Sequence, residues 1–249
     1  MTVVLGIKCK DGVVIGADSS ATLGQAPNLR TIEQKVNKIT VIGDRVIVAG
    51  TGEVGLGQRF NAVVQTAWQD RNKPFNKSPI EVGKHLASCA IKDYQSTHLK
   101  NINFGALVAF PTSGKAHLCE FAVGNFQPEQ KTDESLWYAS MGSGQPITDP
   151  FLGFMRRVFW KDDLPASQDG IFAVTWALQH AIEINPGGIN GPMQIAVLGP
   201  GKNGQLFAKV LEESELAEHK DNVEGAISHL RKYRQQLSDD KPPSLPAKP

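Results

Sequence analysis

Thr2, Asp18 and Lys38 are the residues of this chain whose types and spacing could do chemistry together. A threonine hydroxyl is a poor nucleophile until a base takes its proton, and a threonine at a chain terminus carries its own base, the α-amine. That amine titrates near ~7.7–8 when unperturbed, so much of it is neutral at cytosolic pH. A neighbouring cation lowers the amine and hydroxyl values further, and a carboxylate is needed to hold the cation in place. The tetrahedral oxyanion in turn requires backbone donors. Only Met1 stands before Thr2, whose small side chain permits trimming of an initiator methionine, so a free threonine amine is the expectation. Asp18 is the candidate carboxylate and Lys38 the candidate cation. The glycine-rich turn around Gly52 is the candidate oxyanion donor, since a missing side chain lets substrate approach the backbone closely.

Strands must position these groups. Residues 3–7 and 13–17 are apolar and β-branched and flank the turn dipeptide Asp11-Gly12, which predicts a hairpin ending at Asp18. Residues 19–33, rich in Ser, Gly, Asn and Pro, read as a loop. Residues 35–42 and 45–50 around Gly43-Asp44 predict a second hairpin, which Lys38 enters and Gly52 follows. Leu56, Phe60, Val63, Val64, Ala67 and Trp68 recur at helical spacing. Ser78-Pro79-Ile80-Glu81 is a capping box with proline at the first helical position, opening a helix to about Tyr94. Strands are expected at 104–110, 115–123 and 137–140, helices at 146–160 and 168–184, and a last strand pair at 194–198 and 206–211. The order sheet, helices, sheet, helices, sheet predicts an α+β fold, with two stacked antiparallel sheets covered by helices on both outer faces. Residues 1–211 form the expected main domain. Residues 212–237 are an acidic helical extension with Val223, Ile227, Leu230 and Leu237 on one stripe. Residues 238–249 are a Pro-rich tail that cannot bury enough surface to order itself.

Bulk properties exclude other classes. Lys plus Arg number 26 against 25 Asp plus Glu, so no global charge favours nucleic acid or a membrane surface as partner. No apolar run reaches the ~20 residues of a membrane span, and the start carries no charged region followed by an apolar one, so a cytoplasmic protein is expected. Cys9, Cys89 and Cys119 lack metal-ligand or CxxC spacing and read as packing residues of a reducing compartment. The six histidines show no metal spacing either, and no metal or organic cofactor is expected. Gly50-Thr51-Gly52 with Gly55 approaches a dinucleotide fingerprint, but it follows a hairpin strand and opens no βαβ unit.

Several stretches together resemble proteasome β-type subunits: Thr2-Val3-Val4-x-Gly6, Lys10-Asp11-Gly12-Val13-Val14, Ala17-Asp18-Ser19-Ser20-Ala21-Thr22-x-Gly24, Lys35-Val36-x-Lys38-Ile39 and Tyr138-Ala139-Ser140-x-Gly142-Ser143-Gly144. The resemblance runs from Thr2 to about Val210, and it is strongest to stand-alone bacterial homologues. It implies an N-terminal nucleophile hydrolase, a four-layer αββα sandwich, assembled into stacked homo-oligomeric rings around a chamber, seven-membered in preference to six. By this resemblance Thr2 is nucleophile and base, Lys38 the lysine, Asp18 its orienting acid and Gly52 the oxyanion glycine; about four extra residues between Asp18 and Lys38 relative to the family make Lys35 the alternative lysine. Ser143 matches the serine that hydrogen-bonds the amine, and Ala21, Val36, Gly50 and Val54 line the pocket for the residue before the cut. Asn185 stands where the family usually has aspartate and Gly188 roughly where it has a second serine; asparagine keeps hydrogen bonding and loses charge. The implied activity is a threonine-type endopeptidase acting on peptides or unfolded chains, with an ATPase as a possible partner. The alternatives are a non-catalytic ring scaffold and a small-molecule amidase of the same fold.

Overall fold

The turn at Asp11-Gly12 joins β1 (Val4–Lys8) to β2 (Val13–Ala17) with Val4 opposite Ala17 and Lys8 opposite Val13. In the computed structural model the described residues are 2–23, 32–70, 74–133, 136–161, 163–185, 188–201 and 203–238. The chain continues through β3 (Ser20–Leu23), β4 (Ile32–Lys35), β5 (Ile39–Ile42) and β6 (Val46–Gly52) into α1 (Val54–Gln69) and α2 (Pro79–Gln95). Then come β7 (Phe104–Thr112), β8 (Lys115–Phe121), β9 (Pro128–Lys131) and β10 (Tyr138–Met141), followed by α3 (Gln145–Phe159) and α4 (Ser167–Ile184). The last elements are β11 (Gln194–Pro200), β12 (Leu206–Val210) and α5 (Glu213–Ser238).

One five-stranded sheet has the order β10-β1-β2-β11-β12 and the other β5-β6-β7-β8-β9, with every pairing antiparallel. Between them lie Val4, Ile15, Ile47, Leu107, Leu118 and Ala196, all fully buried. Strands whose residues are buried on both faces read as continuous apolar runs, and β1, β2 and β7 do so. Phe60, Val64, Leu86 and Ala90 pack α1 and α2 on the outer face of one sheet. Leu152, Val174, Ala177 and Leu178 pack α3 and α4 on the other. Each such side chain contributes about 1.5–3 kcal/mol on leaving water, so three apolar layers hold four structural ones. The fold is the expected αββα sandwich.

The differences from expectation are local. Residues expected as a loop at 19–33 contain β3 and the start of β4, which pair with Ser20 opposite Lys35. The run expected as one strand at 35–42 is split: Lys35 ends β4, Ile39 begins β5, and residues 36–38 belong to neither. The edge strand β9 begins at a proline, a residue with no N–H to give the ladder, which hid it in the sequence. Along α5, Leu216 and Val223 are buried and Ile227 packs on the α4 layer, whereas Leu230 and Leu237 are exposed. The apolar stripe therefore packs on α4 over its first half. Of the tail expected at 238–249, Ser238 ends α5, and residues 239–249, like Met1, lie outside the described residues.

Candidate active site

Thr2 sits two residues ahead of β1 and Asp18 one residue past β2, so the antiparallel register brings them together. The Asp18 N–H donates to the Val3 carbonyl at 3.3 Å, and the Val3 N–H donates to Asp18 Oδ1 at 2.9 Å. Asp18 is fully buried, and its other oxygen accepts from the Ser20 N–H at 3.0 Å. A buried carboxylate requires such donors and a countercharge. The countercharge is Lys38, whose Nζ lies 2.6 Å from Asp18 Oδ1 with its side chain 8% exposed. The same ammonium donates to Thr2 Oγ1 at 3.1 Å. Burial pulls the Lys38 pKa below its ordinary value, and the charge and hydrogen bond of Asp18 offset only part of that effect. The cation is thus held against the threonine hydroxyl with its charge incompletely compensated, the arrangement that lowers a hydroxyl pKa.

The loop after β10 closes the other side of Thr2. The Thr2 backbone nitrogen donates to Ser143 Oγ at 3.0 Å, and the Ser143 hydroxyl lies 3.4 Å from the Thr2 carbonyl. That carbonyl also accepts from the Gly144 N–H at 3.1 Å. Gly142 has φ +90, and a Cβ there would meet the Thr2 carbonyl oxygen at 2.3 Å, so only glycine lets the loop approach.

Beside Thr2 opens a cavity of about 460 Å³ whose lining includes Ala21, Val36, Lys38, Gly50, Gly52, Val54 and Ser143. All four expected pocket residues and the expected oxyanion glycine therefore face one space. Thr40, Gln58, Asn61 and Phe104 also line it, so the lining is more polar than the four small residues alone suggest. Gly50 backs directly onto Phe104, where a Cβ would lie 2.5 Å from the ring. Lys35, the alternative lysine, is exposed on the β3–β4 ribbon. Asn185 stands at the C-terminal end of α4, where its carbonyl accepts from the Gly188 and Ile189 N–H groups at 3.3 and 3.1 Å. Gly188 is buried and brings no hydroxyl.

Gln194 is the residue that reading the sequence missed. Its Oε1 accepts from the Lys38 N–H at 3.0 Å, and its Nε2 donates to the Val36 carbonyl and to Ser19 Oγ, both at 2.7 Å. The only trace in the sequence is one carboxamide heading the apolar run Ile195-Ala196-Val197-Leu198, a pattern too common to single out. Cys9 offers no competing nucleophile, because burial, reinforced by the nearby Asp11 and Asp169 charges, pushes its thiol far above the ordinary range.

The model of the family described as Proteasome subunit matches residues 2–192. The proteasome subunit beta of Nanoarchaeum equitans is 27% identical over 147 residues, which cover 59% of this chain and 70% of that relative. The proteasome subunit beta of Methanocella paludicola is 24% identical over 205 residues, 81% of this chain and 89% of the relative. Among solved structures, the chain is similar to an Anbu (Gly-1) mutant from Hyphomicrobium sp. strain MC1, with TM-score 0.69 and 13% identity over 98% of this chain and 100% of the other. Anbu (ancestral beta-subunit) from Yersinia bercovieri superposes with TM-score 0.66 at 13% identity, covering 99% and 100%. At such identity the solved structures show a common fold.

Proposed function

The chain belongs to the proteasome subunit family, and from that premise we propose that it is a threonine-type endopeptidase in which Thr2 forms an acyl-enzyme with the peptide it cleaves. The observation that carries this reading is the contact of Thr2 Oγ1 with Lys38 Nζ at 3.1 Å, while the same ammonium rests on the buried Asp18 at 2.6 Å.

Removal of Met1 turns the nitrogen now 3.0 Å from Ser143 Oγ into an α-amine. That amine takes the Thr2 hydroxyl proton as Oγ1 attacks the peptide carbonyl. Lys38 stabilises the developing alkoxide, Asp18 holds Lys38 in place, and the Gly52 N–H receives the oxyanion. The amine then passes the proton to the leaving amine, and a water activated by the same amine releases the acyl group, restoring Thr2. Ala21, Val36, Gly50 and Val54 receive the side chain before the cut, which favours an apolar residue there. Stacked rings of this chain would enclose these sites with unfolded polypeptide as substrate. No helix among the described residues is long and apolar enough to cross a membrane, in keeping with a cytoplasmic site of action.

The test combines intact mass with a β-lactone probe. Loss of Met1, labelling at Thr2 and no hydrolysis by Thr2→Ala are the expected results. Retention of Met1 in every molecule would overturn the proposal, because the amine would remain in a peptide bond. A second reading, a ring scaffold without catalysis, draws on Asn185 and Gly188, which bring no carboxylate and no hydroxyl to the end of α4. Probe labelling of Thr2 decides against it. Light scattering separates both from a small-molecule amidase, which has no need of a closed chamber.

A further inference from the structure

Residues 36–38 link β4 to β5 and carry both the pocket residue Val36 and the cation Lys38, yet they belong to no strand. Their backbone bonds reach outside the sheets. The Val36 N–H donates to the Ser19 carbonyl at 2.9 Å. The Val36 carbonyl and the Lys38 N–H, which a neighbouring strand would ordinarily satisfy, both go to the Gln194 side chain, at 2.7 and 3.0 Å. A carboxamide presents one donor edge and one acceptor edge in a plane, as a peptide unit does, so Gln194 replaces a missing rung of the ladder. Its remaining donor capacity holds Ser19 Oγ at 2.7 Å, and that hydroxyl donates to the Pro192 carbonyl. Ser19 lies between Asp18 and Ser20, whose N–H binds Asp18 Oδ2. One side chain at the head of β11 thereby ties together the chain on either side of the Asp18–Lys38 pair.

We propose that Gln194 is a positioning residue that sets the reach of Lys38 toward Thr2 by clamping the backbone of residues 36–38. This rests on the peptidase reading above for its catalytic consequence, while the clamp itself is a matter of structure. The geometry restricts what can replace it. Methionine fills a similar volume and supplies neither bond. Glutamate keeps the acceptor for the Lys38 N–H, loses the donor to the Val36 carbonyl, and places a second anion near the segment that Lys38 must leave to reach Thr2.

The experiment compares wild type, Gln194→Met and Gln194→Glu in the full chain by amide hydrogen exchange, by peptide hydrolysis and by the rate of β-lactone labelling. Gln194→Met is expected to speed exchange at the Lys38 amide, leave exchange in β6 and β7 unchanged, and lower kcat and labelling rate at least about tenfold with a much smaller change in KM. Gln194→Glu, which sets a carboxylate oxygen against the Val36 carbonyl, is expected to retain more protection at Lys38 than Gln194→Met and still to speed exchange around Val36 and lower the labelling rate. Unchanged exchange at Lys38 in Gln194→Met overturns the clamp, and lost protection with wild-type kcat and labelling overturns its role in positioning. Should Gln194→Met not fold, Gln194→Glu still decides: wild-type exchange around Val36 with wild-type labelling overturns the proposal. A wild-type protein that neither hydrolyses peptide nor labels at Thr2 instead overturns the peptidase reading, and the kinetic half of this proposal with it.

Discussion

Two lysines of this molecule are almost equally hidden and end with opposite electrostatics. Lys38 is 8% exposed and Lys131, on the edge strand β9, is 5% exposed. Among the described residues Lys38 meets one carboxylate, Asp18, whereas Lys131 lies 2.7 Å from each of two, Glu120 and Glu129. Burial disfavours the charge of both. It prevails at Lys38, whose pKa is lowered; at Lys131 the hydrogen bonds and charges of the two glutamates outweigh it, and the pKa is raised. The cross-strand register puts Glu120 opposite Glu129, a like-charge pair that Lys131 relieves. One lysine is therefore held against Thr2 with a charge that its burial disfavours, and the other has its charge stabilised by two glutamates of the β8–β9 pair.

The largest expected effect that separates the two is on catalysis. Lys38→Met should lower peptide hydrolysis and Thr2 labelling by about 10²–10⁴-fold, the range for removing a group that assists proton transfer, while Lys131→Met leaves kcat unchanged. Equal losses in a peptide-hydrolysis assay would erase the distinction. Next in size is Asp18→Asn, which strips a buried ion pair of its only anion and should cost about 3 kcal/mol in denaturant unfolding, together with most of the activity. Lys131→Met should cost less, about 1–2 kcal/mol, because Glu129 is 63% exposed and water takes over part of its charge. Glu129→Gln is the smallest, at most about 0.5 kcal/mol in the same measurement.

Alkaline unfolding curves sharpen the contrast by sign. The ordinary lysine value is 10.5 for both. With a lowered folded value, Lys38 binds fewer protons folded than unfolded just below 10.5, so its contribution to stability rises with pH there. With a raised folded value, Lys131 contributes stability that is complete below 10.5 and lost as pH rises through its folded value. Subtracting the curves of Lys38→Met and Lys131→Met from wild type should give slopes of opposite sign. Peptidase activity should follow Lys38 and not Lys131 on the alkaline side, falling as pH rises through the lowered Lys38 value, with the Thr2 amine setting the acidic limb and Asp18 and Glu53 as the other charges near the site.

The sequence made the layers legible because their signals are repetitive: apolar strands on both sides of Asp11-Gly12, and the spacing of Leu56, Phe60 and Val64. Thr2, Asp18 and Lys38 were legible because strand ends are countable. Ser143 and the four pocket residues came through resemblance alone, since a Gly-flanked serine has no periodicity to betray it. The β3–β4 ribbon was hidden by its turn-rich composition and β9 by its proline. Gln194 was hidden for a deeper reason: its partners at Val36 and Lys38 are backbone groups more than 150 residues away, which leave no mark on which residue types stand there.

Gly50 has a meaning for how such a pocket can be redesigned. Phe104 stands directly behind it, and the ring is held by Phe60 and Phe126, with centroids 6.0 and 5.9 Å away. Any side chain introduced at position 50 must displace that ring from its packing against Phe60 and Phe126. Val54, by contrast, is 64% exposed, and the neighbouring Gly55 has open space where its side chain would be. On the peptidase reading proposed above, new preferences for the residue before the cut would be engineered, or would evolve, from the open side at Val54 and Ala21, with the wall at Gly50 as the fixed edge of the mould.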